Sequence, residues 1–175
     1  AGLVAIAYAR RCGIPIILMS DSQAIDAPRR RWTEAVKSWV VGLADAGLTA
    51  GRVHAEYLTA LGMERDKLFL GYDVVDNEHF ARGAAVARTD IKSRERHNLP
   101  ERYILSVARF VNKKNLSTLI KAHADWSSRA AERVPLLLVG AGPLHSELEA
   151  IAGNETILRP FATYLELPVL YGLAE

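Results

Sequence analysis

One cysteine, Cys12, stands among 175 residues, so no disulfide can form within the chain. That points to a reducing compartment and makes the cytoplasm the expected location. No apolar run approaches the roughly 20 residues that cross a bilayer. The opening stretch is not expected to be a signal peptide: in "AGLVAIAYARRCGIP" the charges follow the apolar part, the reverse of a signal peptide's order. Excess charge is lacking. A formal net charge of +2 does not supply the basic stripe that nucleic acid requires. The five histidines are scattered, with no His/Asp/Cys cluster at ligand spacing, so no metal centre and no cofactor are expected. No internal repeat of about 20–50 residues is found. There is no initiator methionine and the first residues read as a helix already under way, so the chain is expected to be a segment of a longer protein.

What the chain has is apolar surface, 50% of its residues, enough for one core or two small ones. That surface is patterned as strands alternating with helices. Ala1 to Cys12 reads as a helix with Leu3, Ile6, Ala7 and Ala9 toward a core, ended by Gly13. The run "IPIILMS" reads as a parallel strand buried on both faces. A helix to about Val41 follows, with Asp26 as N-cap and Pro28 in its first turn. "AGLTAG" and "DKLFLG" read as strands around the helix "RVHAEYLTALG", whose apolar face is Val53, Tyr57, Leu58 and Leu61. "YDVVDNEHF" reads as a loop, and residues 81–102, polar and charge-rich, as the connection between two units.

The rhythm then resumes. Strand Tyr103–Ala108 leads to a helix from Asn115 to about Ala130, "PLLLVG" to the helix "GPLHSELEAIAG", and "ETILRP" to a helix interrupted at Pro168. Such alternation predicts an α/β fold with parallel sheets and crossover helices. The expected division is 1–80, 81–102 and 103–175. Trp32, Trp39 and Trp126 are expected in the core or in helix packing.

Parallel sheets bind ligands outside the carboxyl ends of their strands, which directs attention to a few residues. Arg109 directly follows a strand, and Lys114 stands just before a helix N-terminus, where free N–H groups already favour an anion. Two readings are open: a diphosphate held by an arginine fork and a lysine point charge, or two solvated or acid-paired surface cations. In "LLLVGAGPL", Gly140 and Gly142 with Pro143 make either a tight turn or a close backbone approach to a ligand. The dinucleotide fingerprint is absent, because its third glycine position holds His145.

Taken together, "LSVARFVNKKNLSTLIKAHA" and "LLLVGAGPLHSELEAIA" resemble the opening βα units of the C-terminal domain of family-4 glycosyltransferases, retaining enzymes of the GT-B architecture. "GYDVVDNEHF", with Asp76 and Phe80, is similar to the segment that ends that family's N-terminal domain, and "GLADAGLTAGRVHAEYLTALGMERDKLFLG" to the stretch before it. The resemblance implies two Rossmann-like half-domains, each incomplete, with a nucleotide-sugar site between them. It implies that Arg109 and Lys114 hold the diphosphate of a UDP- or GDP-sugar without a metal, and that the Gly140–Gly142 turn with Pro143 approaches the donor. Arg159 and Phe161 would lie near the nucleobase.

It further implies transfer with retention to a sugar or lipid-linked acceptor. A sugar-nucleotide epimerase, which shares the architecture, is an alternative, as is a non-catalytic module or a subunit of a split protein. Where much of the family has a histidine, this chain has Asp21, which either hydrogen-bonds sugar or acceptor hydroxyls or, with Ser20, caps a turn. The family's pair of closely spaced glutamates has no counterpart, since Glu166 and Glu175 stand in other contexts. On its own the chain is therefore expected to be inactive. The run Arg29-Arg30-Arg31, with Lys37, is either a solvated helix face or a peripheral contact with the anionic inner face of a membrane.

Overall fold

The computed structural model describes residues 2–26 and 28–175. The chain divides into two units, Ala1–Val75 and Asp76–Glu175, each built on a three-stranded parallel sheet. The fold is α/β with two Rossmann-like half-domains.

In the first unit, α1 (Gly2–Cys12) leads to β1 (Ile17–Ser20), α2 (Arg31–Val41), β2 (Ala46–Thr49), α3 (Arg52–Ala60) and β3 (Leu68–Leu70). The strand order is β1-β2-β3, with Ile17 opposite Ala46 and Leu48 opposite Phe69. Parallel neighbours need a crossover, and α2 and α3 supply the two. Val41, Tyr57, Leu58, Leu61 and Met63 form the core, so three of the four residues expected on the face of α3 are buried while Val53 is exposed.

Three expectations change here. Among the described strands β1 pairs with β2 alone, and it is not buried on both faces: Leu18 packs on the core, but Ile17 and Met19 are 64% and 56% exposed. An apolar run reports affinity for a sheet and not the number of neighbouring strands. α1 forms as expected, yet Leu3 and Ala7 are exposed and only Ile6 and Ala9 are half-buried. Asp26 does not cap α2. Its Oδ2 accepts the Gln23 N–H at 2.8 Å in a turn ahead of the helix, and α2 starts only at Arg31, beyond Pro28.

The second unit comprises α4 (Asn77–Thr89), α5 (Ser93–Arg96), β4 (Ile104–Val107), α6 (Leu116–Arg129), β5 (Leu136–Val139), α7 (His145–Ile151), β6 (Thr156–Arg159) and α8 (Leu167–Leu173). The strand order is β4-β5-β6. Central β5 is buried along its whole length, as a continuous Leu-Leu-Leu-Val run should be. Its side chains alternate between two cores. Leu136 and Leu138 join Phe110, Leu116, Ile120 and Leu148. Leu137 and Val139 join Ala87, Tyr103, Leu170 and Leu173.

Residues 81–102, expected as a connection, form most of α4 and all of α5 and belong to the second unit. Asp76 starts α4 as its N-cap, its Oδ1 accepting the His79 N–H at 2.9 Å. α4 meets α8 through small residues: a Cβ on Gly172 would lie 2.6 Å from Ala84 Cα, and one on Gly83 would collide with Pro168. Small residues at a helix contact leave only a faint apolar period, hence the polar appearance of this stretch. Pro168 opens α8 instead of interrupting it.

The carbonyls at the end of α8 have no partners within the helix. Arg88 Nε donates to Gly172 O at 2.8 Å, Arg94 Nη2 to Leu173 O at 3.1 Å and Tyr103 Oη to Leu170 O at 2.7 Å. Cations also suit this negative end of the helix. Burial pushes the Tyr103 phenol up to about 12.

Because an unfolded tyrosine ionises near pH ~10, the folded state loses stability as pH rises from there through about 12. Tyr103→Phe should flatten that alkaline slope and, at neutral pH, cost about 1 kcal/mol for the lost hydrogen bond. Urea melts of both proteins across this range measure it; identical alkaline slopes would exclude the buried phenol as the cause.

Candidate functional site

The carboxyl ends of β4, β5 and β6 are stitched together by backbone hydrogen bonds. Ala108 N donates to Val139 O at 3.0 Å, Phe110 N to Ala141 O at 2.9 Å, Leu144 N to Phe110 O at 3.1 Å and Gly140 N to Arg159 O at 3.0 Å. Phe110 is fully buried and its ring stacks on His145, 5.8 Å between centroids. Val111 N donates to Arg109 O at 2.9 Å, closing a three-residue turn about Phe110. The chain then makes a short 3-10 turn, Asn112–Lys114, and enters α6 through Asn115 at φ 50°, ψ 39°, a left-handed conformation that asparagine tolerates.

The glycines serve this stitching. Gly140 and Gly142 have φ 156° and 159°. A methyl group on Gly140 would collide with the Ala108 carbonyl, and one on Gly142 would lie 2.8 Å from Phe110 N. The neighbouring strand's exit loop occupies the space that a Cβ would need. Pro143 lies just ahead of Leu144, the N-cap of α7, and so outside the helix it was expected to open.

Arg109 and Lys114 thus flank one loop, tied by backbone hydrogen bonds, at the carboxyl edge of the sheet. Both are exposed, and neither side chain has an ion-pair or hydrogen-bond partner among the described residues. Some other surface arginines do have one: Arg29 pairs with Glu34, Arg102 with Glu132 and Glu175, Arg133 with Glu155; Arg11, Arg30, Arg31, Arg52 and Arg65 have none among the described residues. No side chain caps the N-terminus of α6, so its first N–H groups add to the positive field.

Arg159, at the end of β6, is half-buried, and its Nη1 donates to His97 O at 2.9 Å, tying this strand to the end of α5. It borders a cavity of about 70 Å³ that His97, Val139, Pro160 and Glu166 also line. Glu166 Oε2 accepts the Thr163 N–H at 2.7 Å and the Thr163 hydroxyl at 2.8 Å. These two bonds, helped by His97 and Arg159, hold its carboxyl below the usual range. Phe161 is 73% exposed.

In the first unit, Ser20 Oγ accepts the Ser22 N–H at 3.3 Å, so Ser20, not Asp21, closes the turn after β1. Asp21 is exposed and without a partner among the described residues.

The basic run separates into two kinds of residue. Arg29 lies 4.4 Å over the Tyr57 ring and donates to Tyr57 Oη and Ala24 O, each at 2.7 Å. Glu34 accepts from Lys37 at 3.0 Å and from the Tyr57 hydroxyl at 2.8 Å, which holds its carboxyl below the ordinary range. Arg29 and Lys37 are thereby structural. Arg30 and Arg31 remain exposed, and beside them Trp32 and Trp39 are 66% and 59% exposed and so outside the core, one of the two places expected of them; Trp126 is outside the core as well.

Residues 87–166 match the family model for glycosyl transferases group 1. No match was found among curated proteins. Among solved structures, the chain is similar to Anabaena Alr3699/HepE in complex with UDP and glucose, with TM-score 0.67 and 14% identity over 96% of this chain and 47% of that one. The complex of the same protein with UDP-glucose gives TM-score 0.66 and 15% identity over 96% and 47% of the two chains. UDP-N-acetylglucosamine 2-epimerase from Rickettsia bellii gives TM-score 0.58 and 16% identity over 96% and 45%. The chain spans about half the length of these proteins. The likeness shows the fold, two Rossmann-like halves of the GT-B kind.

Gly140→Ala should cost about 3 kcal/mol or prevent folding, because backbone must move. Arg109→Ala and Lys114→Ala, which remove no partner, should stay within about 0.5 kcal/mol of the parent chain. Chemical denaturation of the three variants checks both statements.

Proposed function

We propose that this chain supplies the diphosphate-binding part of a glycosyltransferase that moves a sugar from a nucleoside-diphosphate donor to an acceptor hydroxyl with retention, as family-4 enzymes do. The observation that carries this reading is the pair Arg109 and Lys114, exposed and without a partner among the described residues, on a loop held by backbone hydrogen bonds at the carboxyl edge of a parallel sheet. When the bond from the sugar's anomeric carbon to the diphosphate oxygen breaks, the electron pair stays with the diphosphate. Fixed cations stabilise that gain of charge more than they stabilise the ground state, which lowers the barrier. An arginine fork and a lysine ammonium can do this without a metal.

Asp21, exposed and without a partner among the described residues, is proposed to hydrogen-bond a sugar or acceptor hydroxyl. The match of residues 87–166 to a transferase family supports transfer over epimerisation, although an epimerase would use the same diphosphate contacts. UDP is the first donor nucleotide to examine, with GDP next. Calorimetry should find weak UDP binding that Arg109→Ala weakens about tenfold or more. No heat with millimolar UDP and folded protein would remove the reading.

The acceptor side is proposed to meet an anionic membrane surface from the cytoplasm, presenting a lipid-linked acceptor. Arg30 and Arg31 have no side-chain partner among the described residues, and Trp32 and Trp39 suit the headgroup layer. No helix among the described residues is long and apolar enough to cross a membrane, so the contact would be peripheral. The chain should sediment with phosphatidylserine-containing vesicles, and the double variant Arg30→Glu, Arg31→Glu should not. Equal sedimentation with purely zwitterionic vesicles would exclude the electrostatic contact.

A further inference from the structure

The segment 160–166 leaves the carboxyl end of β6 without regular secondary structure, yet it is held at two points. Glu166 grips Thr163, as described above. The other hold comes from the first turn of α4. The His79 ring lies flat on Tyr164, 4.2 Å between centroids and 9° between planes, and its Nε2 stands 3.3 Å from the Tyr164 carbonyl. Phe80 meets Tyr164 edge-on at 5.7 Å and Tyr171 at 6.0 Å, and His79 meets Phe80 edge-on at 5.4 Å. A carbonyl beside Nε2 requires the proton there, since the oxygen can only accept. The Asp76 cap on His79 N fixes where this turn begins.

A surface loop is ordinarily the most mobile part of a domain, and four rings with a hydrogen bond are more than a spacer between β6 and α8 requires. The loop carries an exposed aromatic residue, Phe161, next to the strand end that is bonded to Gly140. An aromatic face held still at the carboxyl edge of a parallel sheet is suited to stack a planar base.

We infer that His79 and Phe80 are positioning residues for nucleobase recognition. They clamp Tyr164 so that segment 160–166 presents Phe161 to the base of the donor. This inference rests on the diphosphate reading of Arg109 and Lys114, and it adds residues from α4 that touch neither diphosphate nor sugar.

Two probes separate the inference from that reading: UDP, and inorganic pyrophosphate, which has no base. Calorimetry on the whole chain should show UDP binding more tightly than pyrophosphate. Phe161→Ala and His79→Ala should each weaken UDP by about fivefold or more and leave pyrophosphate within about twofold. His79→Phe, which keeps a flat ring over Tyr164, should recover most of the loss and serves as the test if His79→Ala fails to fold. Parallel losses for both probes, or an unchanged UDP affinity, would overturn the positioning role. UDP no tighter than pyrophosphate would overturn the base contact while leaving the diphosphate site standing. Binding of neither probe by the parent chain would remove the diphosphate reading and this inference with it.

Discussion

The backbone of Phe110 donates its N–H to Ala141 and receives the N–H of Leu144 on its own carbonyl. Everything proposed about the second unit depends on this exchange. It brings two strand-exit loops so close that glycine is required at 140 and 142, and it sends the Phe110 side chain into the core. With its neighbour anchored in this way, Arg109 loses backbone freedom while its guanidinium stays in water. A cation that is to act on a developing charge must be in place before the charge appears. A loop held by main-chain hydrogen bonds achieves that without engaging the side chain that does the work.

The chain's cations divide by whether they already have an occupation. Arg29 and Lys37 surround Tyr57 and Glu34, Arg88 and Arg94 close the end of α8, and Arg159 anchors the end of α5. None of these is available to a ligand without leaving a protein oxygen or ring uncovered. Arg109, Lys114, Arg30 and Arg31 carry no such duty among the described residues, and neither do Arg11, Arg52, Arg65, Lys92, Lys113 and Lys121, so it is position at a strand's carboxyl end that distinguishes Arg109. Counting charges therefore says little about this molecule, since a net charge of +2 is the sum of employed and unemployed groups.

Much of the second unit was legible from residues alone. The Leu136–Val139 run read as a strand, and the spacing of Leu116 and Ile120 placed α6 correctly. Signals failed where the deciding partner was distant or small. The partner of Arg29 is Tyr57, 28 positions on, which no local window contains. α4 packs through Gly83 and Ala84, residues with too little side chain to mark a face. The two glycines after β5 were recognisable as a motif, but their cause, the carbonyls of Ala108 and Phe110, lies in another strand–helix unit. Asp76 and Phe80 were noticed as a pattern; the geometry adds that one caps a helix and the other packs against two tyrosines.

Among the described strands β1 bonds to β2 alone, and Ile17 and Met19 stand exposed on it. A flat apolar strand with a free row of amide and carbonyl groups is a template for another chain to extend. Neither lysine nor proline interrupts Ile17–Ser20 to discourage that. In these 175 residues taken by themselves, that row is the seam along which one copy can lengthen the sheet of another without unfolding elsewhere.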